Sequence, residues 1–425
     1  MYHMEKAGKD LPSPVGVLEE FFRSSETDTN SSKGSGHEDS KNPRRPSTWR
    51  GLVELLRSKS NIQPPSFIPH ESFKLFRRSC SMREQVGKTE NLSRKGESSY
   101  YHDAPSKIFS LSELRLATKN FSQECLIGKG GYAEVYRGCL QQGQLIAIKR
   151  LTQGTPEEKE ADFLVELGIM AHVNHPNTTK LLGYCVEGGM YLVLEYSHLG
   201  SLASLLHSSK EKLQWDIRFK IAMGTAKGLL YLHEGCKRRI IHRDIKAANI
   251  LLTDCYEPQI CDFGLAKWLP EKWTHHIVSK FEGTFGYLAP EYLMHGIVDE
   301  KTDVFSLGVL LLELITGRRA LDCSQQSLVI WAKPLLRKNA IKELIDPALA
   351  NDYDRKQMNL MLLAASWCIQ RSSIRRPRTS QVVELLKGNS SSLELTKKYR
   401  KATLWTRYNE SIMNTMIERF DEMFL

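Results

Sequence analysis

An α+β fold behind a disordered tail is what this 425-residue sequence predicts, and three observations predict it. LIAIK (145–149) alternates as a strand does, while ILLT (250–253) and PQIC (258–261) read as two short strands around a turn. In KEADFLVELGIMAHV, Phe163, Leu167 and Met170 recur at helical spacing. Residues 1–107, in contrast, hold serine clusters (SSETDTNSSKGSGHEDS, 24–40) and scattered charge, with too little apolar density for a core.

The tail comes first along the chain and carries its own charge feature. Between 41 and 83, ten Lys or Arg face only Glu54 and Glu71, within a chain of formal net charge +10. Such a stretch suits anionic lipid at a membrane or an acidic protein face. Nucleic acid suits it least, because Trp49 is the only aromatic platform between Lys41 and Lys59 and no nucleic-acid-binding fold is present. STWRGLVELLRSK puts Trp49, Leu52, Val53 and Leu56 on one stripe flanked by Arg50, Arg57 and Lys59. That spells an amphipathic helix over 48–59 or a solvated tail with a chance stripe, since short isolated helices are marginal in water.

No transmembrane segment is expected, because no apolar run approaches about 18 residues. MYHMEKAGKDLPSPVG lacks the apolar region of a secretory signal. Tyr2 stands where myristoylation needs glycine, and EMFL ends without a prenylation cysteine. Nine cysteines without a CxxC pair suit a reducing compartment. The expected location is cytoplasmic, with peripheral contact at the plasma membrane as the alternative.

FSLSELRLATKNFS (109–122) forms a short helix with Ser110 and Glu113 as its capping box. IGKGGYAEVYRG (127–138) reads as two strand halves around a glycine turn. LIAIK then delivers Lys149, and the following helix carries Glu166. Taken alone, these two are a strand-end surface lysine and a solvated helical glutamate. HRDIKAANILLTDCYEPQICDFG (242–264) gathers Asp244, Lys246, Asn249 and Asp262. Cys261, directly before Asp262, reads as a buried structural thiol. GTFGYLAPE (283–291), KTDVFSLGVLLLELITG (301–317) and the RRP stretch follow in that order.

In this order and spacing the segments resemble a protein kinase over residues 121–388. The resemblance implies a two-lobed fold of roughly 270 residues, with a small β-rich N-lobe (121–196) and a large α-helical C-lobe (197–388). A lead-in helix (108–120) precedes it and a C-terminal tail (389–425) follows. The implied cofactors are ATP and Mg2+, or Mn2+ in its place. Gly128 and Gly130 would let the backbone close over the phosphates, with Ala133 standing where the family has a third glycine. Val135, Ala147 and Leu251 would sandwich adenine. Leu194 would be the gatekeeper, with the backbone of Glu195 and Ser197 reading the ring's edge. Lys149, paired with Glu166, would hold the α- and β-phosphates, while Asn249 and Asp262 hold the metal. Asp244 would accept the proton of the attacking hydroxyl, and Lys246 would neutralise the transferring group. Glu291 with Arg376 would make a structural bridge, and Asp303 would brace the catalytic loop.

Lys246 two positions after Asp244, with Thr284 in GTFGY, marks a serine/threonine kinase acting on protein substrates. The 109–122 segment resembles the lead-in of plant receptor-like kinases of the Pelle and interleukin-receptor-associated kinase group. WTHHIVSKFEGTFGYLAPEYLMHGIVDEKTDVFSLGVLLLELITGRRALD and SLVIWAKPLL resemble class VI receptor-like cytoplasmic kinases. Some members of that class bind Rho-of-plants small GTPases, which makes such GTPases expected partners. Arg243 before Asp244 implies an unpaired positive charge answered by a phosphate on the activation segment. Ser279 is the expected acceptor, Thr274 the second candidate, and Thr284 a required but unmodified hydroxyl. The opposing reading is a pseudokinase-like scaffold that signals by binding, for which Ala133 is the sequence support.

Overall fold

The computed structural model describes residues 107–207, 212–270 and 272–388. The tail apart from Lys107, its helix at 48–59, and the segment 389–425 lie outside the described residues.

One six-stranded sheet is built from β1 (Lys107–Ile108), β2 (Leu126–Lys129), β3 (Ala133–Cys139), β4 (Leu145–Leu151), β5 (Leu181–Cys185) and β6 (Tyr191–Glu195). Their order is β1-β5-β6-β4-β3-β2, with β1 parallel to β5 and every other neighbour antiparallel. β1 falls where the end of the tail and the start of the lead-in helix were expected. Its two residues add to the sheet edge ahead of α1 (Leu111–Ala117). The predicted capping box closes α1: Glu113 N–H donates to Ser110 Oγ at 3.2 Å, and Ser110 N–H donates to Glu113 Oε2 at 2.8 Å. Lys119, Asn120 and Phe121 then run at φ of 50°, 59° and 55°. That left-handed turn swings Phe121 onto Tyr136 and Tyr191, at ring separations of 5.2 and 5.4 Å.

Helix α2 (Pro156–Met170) starts at a second capping box, Thr155 with Glu158, and has proline at its first turn. Phe163, Leu167 and Met170 are buried, as their spacing predicts, and Glu166 is buried beside them.

The rest of the described chain is mainly helical: α3 (Leu202–Leu206), α4 (Trp215–Leu230), α5 (Pro290–His295), α6 (Glu300–Thr316), α7 (Leu328–Lys338), α8 (Ile341–Leu344), α9 (Arg355–Cys368) and α10 (Thr379–Lys387). Three two-stranded pieces lie among them. These are β7 (Arg239–Ile241) with β10 (Lys267–Leu269), β8 (Ile250–Leu252) with β9 (Pro258–Ile260), and β11 (His276–Ile277) with β12 (Ile297–Val298). α6 is buried on every side from Thr302 to Thr316, so it forms the axis of this lobe. Asp299 caps its start by accepting from Lys301 and Thr302 N–H, and Gly317 at φ 67° ends it. A Cβ on Gly308 would sit 2.6 Å from Cys368 Cβ, so glycine is what lets α6 and α9 close on each other. Truncating one of the buried α6 leucines to alanine would cost about 2–5 kcal/mol. This is the two-lobed α+β fold expected, and among the described residues no helix is long and apolar enough to cross a membrane.

Candidate active site

Strand pairing sets Lys149 opposite Val135 in the β3–β4 ladder, below the glycine turn. Its Nζ donates to Glu166 Oε1 and Oε2 at 2.7 and 2.9 Å and to Asp262 Oδ1 at 2.6 Å. Neither Lys149 nor Glu166 is the solvated group that sequence position alone allows; both side chains are nearly sealed. Burial works against the Lys149 charge, but the carboxylates of Glu166 and Asp262 outweigh it and hold the ammonium above its usual pKa. Burial pushes the Glu166 carboxyl up despite Lys149. For Asp262 burial is outweighed by Lys149, which leaves its carboxyl below the usual range.

The second group lies on the loop 242–249. Asp244 Oδ1 accepts from Thr284 Oγ1 at 2.8 Å, and Oδ2 lies 2.7 Å from Lys246 Nζ and accepts from Asn249 Nδ2 at 2.9 Å. Lys246 Nζ also donates to Thr284 Oγ1 at 2.8 Å, which closes a three-membered polar ring. The loop backbone bends sharply here, with Arg243 at φ 70° and Asp262 at φ 63°. Left-handed backbone at two non-glycine residues is strain that the surroundings must hold. Asp303, with no exposed surface, does so by accepting from the N–H of His242 and Arg243 at 2.7 and 2.8 Å.

The two predicted short strands pair as β8 and β9, and Cys261 N–H donates to Asn249 O at 3.0 Å. This brings Asn249 next to Asp262. Asn249 spends its Nδ2 on Asp244, so its amide oxygen is the end available to a cation. One amide oxygen and one carboxylate are a sparse donor set, which fits magnesium, an ion that keeps several waters or phosphate oxygens as ligands. Among the described residues no group of three or more His, Cys, Asp and Glu gathers to hold a metal by protein ligands alone.

A nucleotide base also finds matching groups. Val135 and Leu251 are half-buried, and Ala147 and Leu194 are buried. Ser197 donates its hydroxyl to Gln259 Oε1 at 2.9 Å, while its backbone N–H has no acceptor among the described residues. Glu195 N–H is already taken by Lys180 O at 3.0 Å, so Glu195 offers its carbonyl rather than its amide. The glycine turn between β2 and β3 is closed by Gly130 N–H donating to Ala133 O at 2.9 Å. The departure at Ala133 therefore leaves the turn intact.

Glu291 and Arg376 meet in a buried two-pronged pair at 2.7 Å on each prong. The expectation for Arg243 needs correction. Its charge is not unpaired: Nη2 lies 3.4 Å from Glu282 Oε2, and Nη1 donates to Leu265 O at 2.9 Å. Ser279 and Thr274 are exposed, and the Thr274 hydroxyl lies 2.9 Å from His275 Nδ1. Neither is in contact with Arg243 in this arrangement. Sequence reading also missed His233, whose Nε2 lies 2.9 Å from Asp303 Oδ2, and Glu313, which bonds the Tyr287 hydroxyl below the GTFGY loop. Nothing local marks either residue; their partners lie far along the chain.

Known proteins share much of this chain's sequence. The model of a family described as protein tyrosine and serine/threonine kinase matches residues 121–386. The chain is 62% identical over 309 residues to the receptor-like cytosolic serine/threonine-protein kinase RBK2 of Arabidopsis thaliana, covering 72% of this chain and 67% of that one. It is 50% identical over 361 residues to the receptor-like cytosolic serine/threonine-protein kinase RBK1 of the same plant, covering 84% and 77%.

Proposed function

The chain belongs to the protein tyrosine and serine/threonine kinase family, and from that membership we propose that it transfers the γ-phosphate of ATP to protein hydroxyls through Asp244. It is a serine/threonine protein kinase, in line with its relatives and with Lys246 two residues after Asp244. The observation that carries the mechanism is the Asp244 carboxylate held between Thr284, Lys246 and Asn249.

The substrate hydroxyl gives its proton to Asp244 as its oxygen attacks the γ-phosphorus, and the bond to the bridging oxygen breaks to release ADP. Lys246 brings positive charge to the transferring group, and Thr284 fixes the rotamers of both neighbours. Lys149, aimed by Glu166, meets the nucleotide phosphates, and Gly128 and Gly130 leave the turn's backbone free to cover them. Val135, Ala147 and Leu251 pack on the base, whose edge meets Ser197 N–H and the Glu195 carbonyl. Asn249 and Asp262 hold magnesium, which neutralises phosphate charge when bound.

Ser279 is the proposed phosphoacceptor of the activation segment, with Thr274 the second candidate. Thr284 stays unmodified, because its hydroxyl is in use between Asp244 and Lys246. The class VI receptor-like cytoplasmic subgroup is proposed on the 273–322 likeness, together with a cytosolic setting shared with the two named relatives. Rho-of-plants GTPases are the proposed partners, and the basic stretch 41–83 is the proposed contact with anionic membrane or an acidic protein face.

Radiolabelled transfer from ATP with magnesium to a generic basic protein tests the reading. Wild type should label the substrate and Asp244→Asn should not; no transfer by wild type would leave a binding scaffold instead.

A further inference from the structure

Arg243 is a buried charge directly beside the proposed base. Its side chain is 3% exposed, its guanidinium cannot shed its proton, and its Nε has no partner among the described residues. A buried charge of this kind needs an opposite one. Among the described residues the only carboxylate within ion-pair reach is Glu282, with Oε2 at 3.4 Å.

We propose that Glu282 is a built-in counter-charge for Arg243, so that the catalytic loop is held in working order without a phosphate on the activation segment. Glu282 is anchored for that role at the backbone. Its N–H donates to the Tyr292 hydroxyl at 2.7 Å, and that hydroxyl donates back to Glu282 O at 2.8 Å. Phe281 adds an edge-on contact with the same ring at 5.7 Å. Tyr292 sits on α5 beside Glu291, which the Arg376 pair fixes to the helical lobe. The carboxylate is therefore delivered by a segment that is itself tied down.

Position gives the pair its consequence. Arg243 directly precedes Asp244, and Glu282 stands two residues before Thr284, whose hydroxyl bonds Asp244. One ion pair thus joins the two segments that meet at the base. Glu282 is a positioning residue: it acts through Arg243 and touches neither reacting atom.

Other charged groups crowd around this carboxylate. Lys280 Nζ takes the other oxygen, Oε1, at 3.1 Å. Burial and Arg243 lower the Lys267 pKa, with Glu282 opposing them, which puts a third cation in the same field. On the facing helix α2, burial and Glu282 both raise the Asp162 carboxyl. A doubly charged phosphate on Ser279 would join Lys280 and Lys267 as well as the like charges Glu282 and Asp162, with Arg243 already answered by Glu282. Its effect is then to modulate the segment rather than to complete it.

The inference rests on Asp244 being the base, and the experiment separates the two. Full-length protein is stripped with a protein phosphatase, checked by mass spectrometry, and assayed for peptide phosphorylation at short times, before it can rephosphorylate. Stripped wild type and stripped Ser279→Ala should keep their turnover. Stripped Glu282→Gln should lose about tenfold or more, the scale of an ordinary coupling between sites, and Glu282→Asp, which keeps the charge, should lose much less. Circular dichroism establishes that each variant is folded. If stripping silences wild type, or if stripped, folded Glu282→Gln turns over normally, Glu282 is not the counter-charge. The wild-type arm can overturn the proposal even where Glu282→Gln fails to fold. Activity in Asp244→Asn under the same conditions would defeat the base assignment instead, without touching the Arg243–Glu282 result.

Discussion

Thr284 Oγ1 donates to Asp244 Oδ1 at 2.8 Å while accepting from Lys246 Nζ at the same distance. A single hydroxyl thus sets the distance between base and cation. Thr284→Ala should reduce turnover by about a hundredfold through misplacement of both groups. Thr284→Ser, which keeps the oxygen, should retain most of it. Steady-state peptide kinetics on both variants checks this, and equal losses would mean the methyl group rather than the hydroxyl matters.

Asp244→Asn preserves shape but removes the proton acceptor. Turnover should fall by about 10²–10⁴, with nucleotide affinity retained by fluorescence or calorimetry. A variant that turns over like wild type would take Asp244 out of the mechanism.

Lys149→Met differs in kind from Asp244→Asn, because it leaves Glu166 buried without its cation. Alongside the loss of transfer, folding stability should drop by about 3–5 kcal/mol. The Lys149→Met, Glu166→Leu double variant should recover much of that stability and none of the activity. Chemical denaturation of wild type, Lys149→Met, Glu166→Leu and the double variant measures it, and additive losses would contradict a coupled pair.

Removing one member of the Glu291–Arg376 pair should be purely structural. Arg376→Ala leaves a carboxylate without its two-pronged partner and should cost about 3–5 kcal/mol. A milder loss is expected for Glu291→Gln, which can still accept from the guanidinium. Thermal melting with and without nucleotide distinguishes this from a binding effect.

For the tail, Trp49→Ala with Leu52→Ala should release the protein from its membrane or protein surface while leaving peptide turnover unchanged. Circular dichroism of a peptide spanning Lys41 to Asn61, with and without anionic vesicles, isolates the membrane case. A peptide that gains no helix in vesicles would leave only the protein partner or a solvated tail.

Short-range features were legible in the sequence because their causes are short-range. Ser110 and Glu113 are three residues apart, and the β8–β9 hairpin needs only its own alternation and turn. The likeness to kinases supplied the longer pairings, such as Lys149 with Glu166 and Glu291 with Arg376. What neither route reached were contacts fixed only by packing. His233 reaches Asp303 from 70 residues away, and Glu282 reaches Arg243 across 39. No periodicity or spacing encodes such meetings. Edge strand β1 was missed for a related reason: two exposed residues carry no alternation, and only the neighbouring β5 makes them a strand.

Asp303 also bears on how the molecule breathes. Its two oxygens are shared by the amides of His242 and Arg243 and by His233, which in turn bonds Thr379 at the start of α10. The catalytic loop is therefore fastened to the innermost helix and to the last described helix by one sealed carboxylate. Local fraying at this loop would strand a buried charge, so opening there should require the whole lobe to open. In native-state hydrogen exchange the His242 and Arg243 amides should then exchange as slowly as the α6 axis, and a loop that carries chemistry would belong to the most protected cooperative unit.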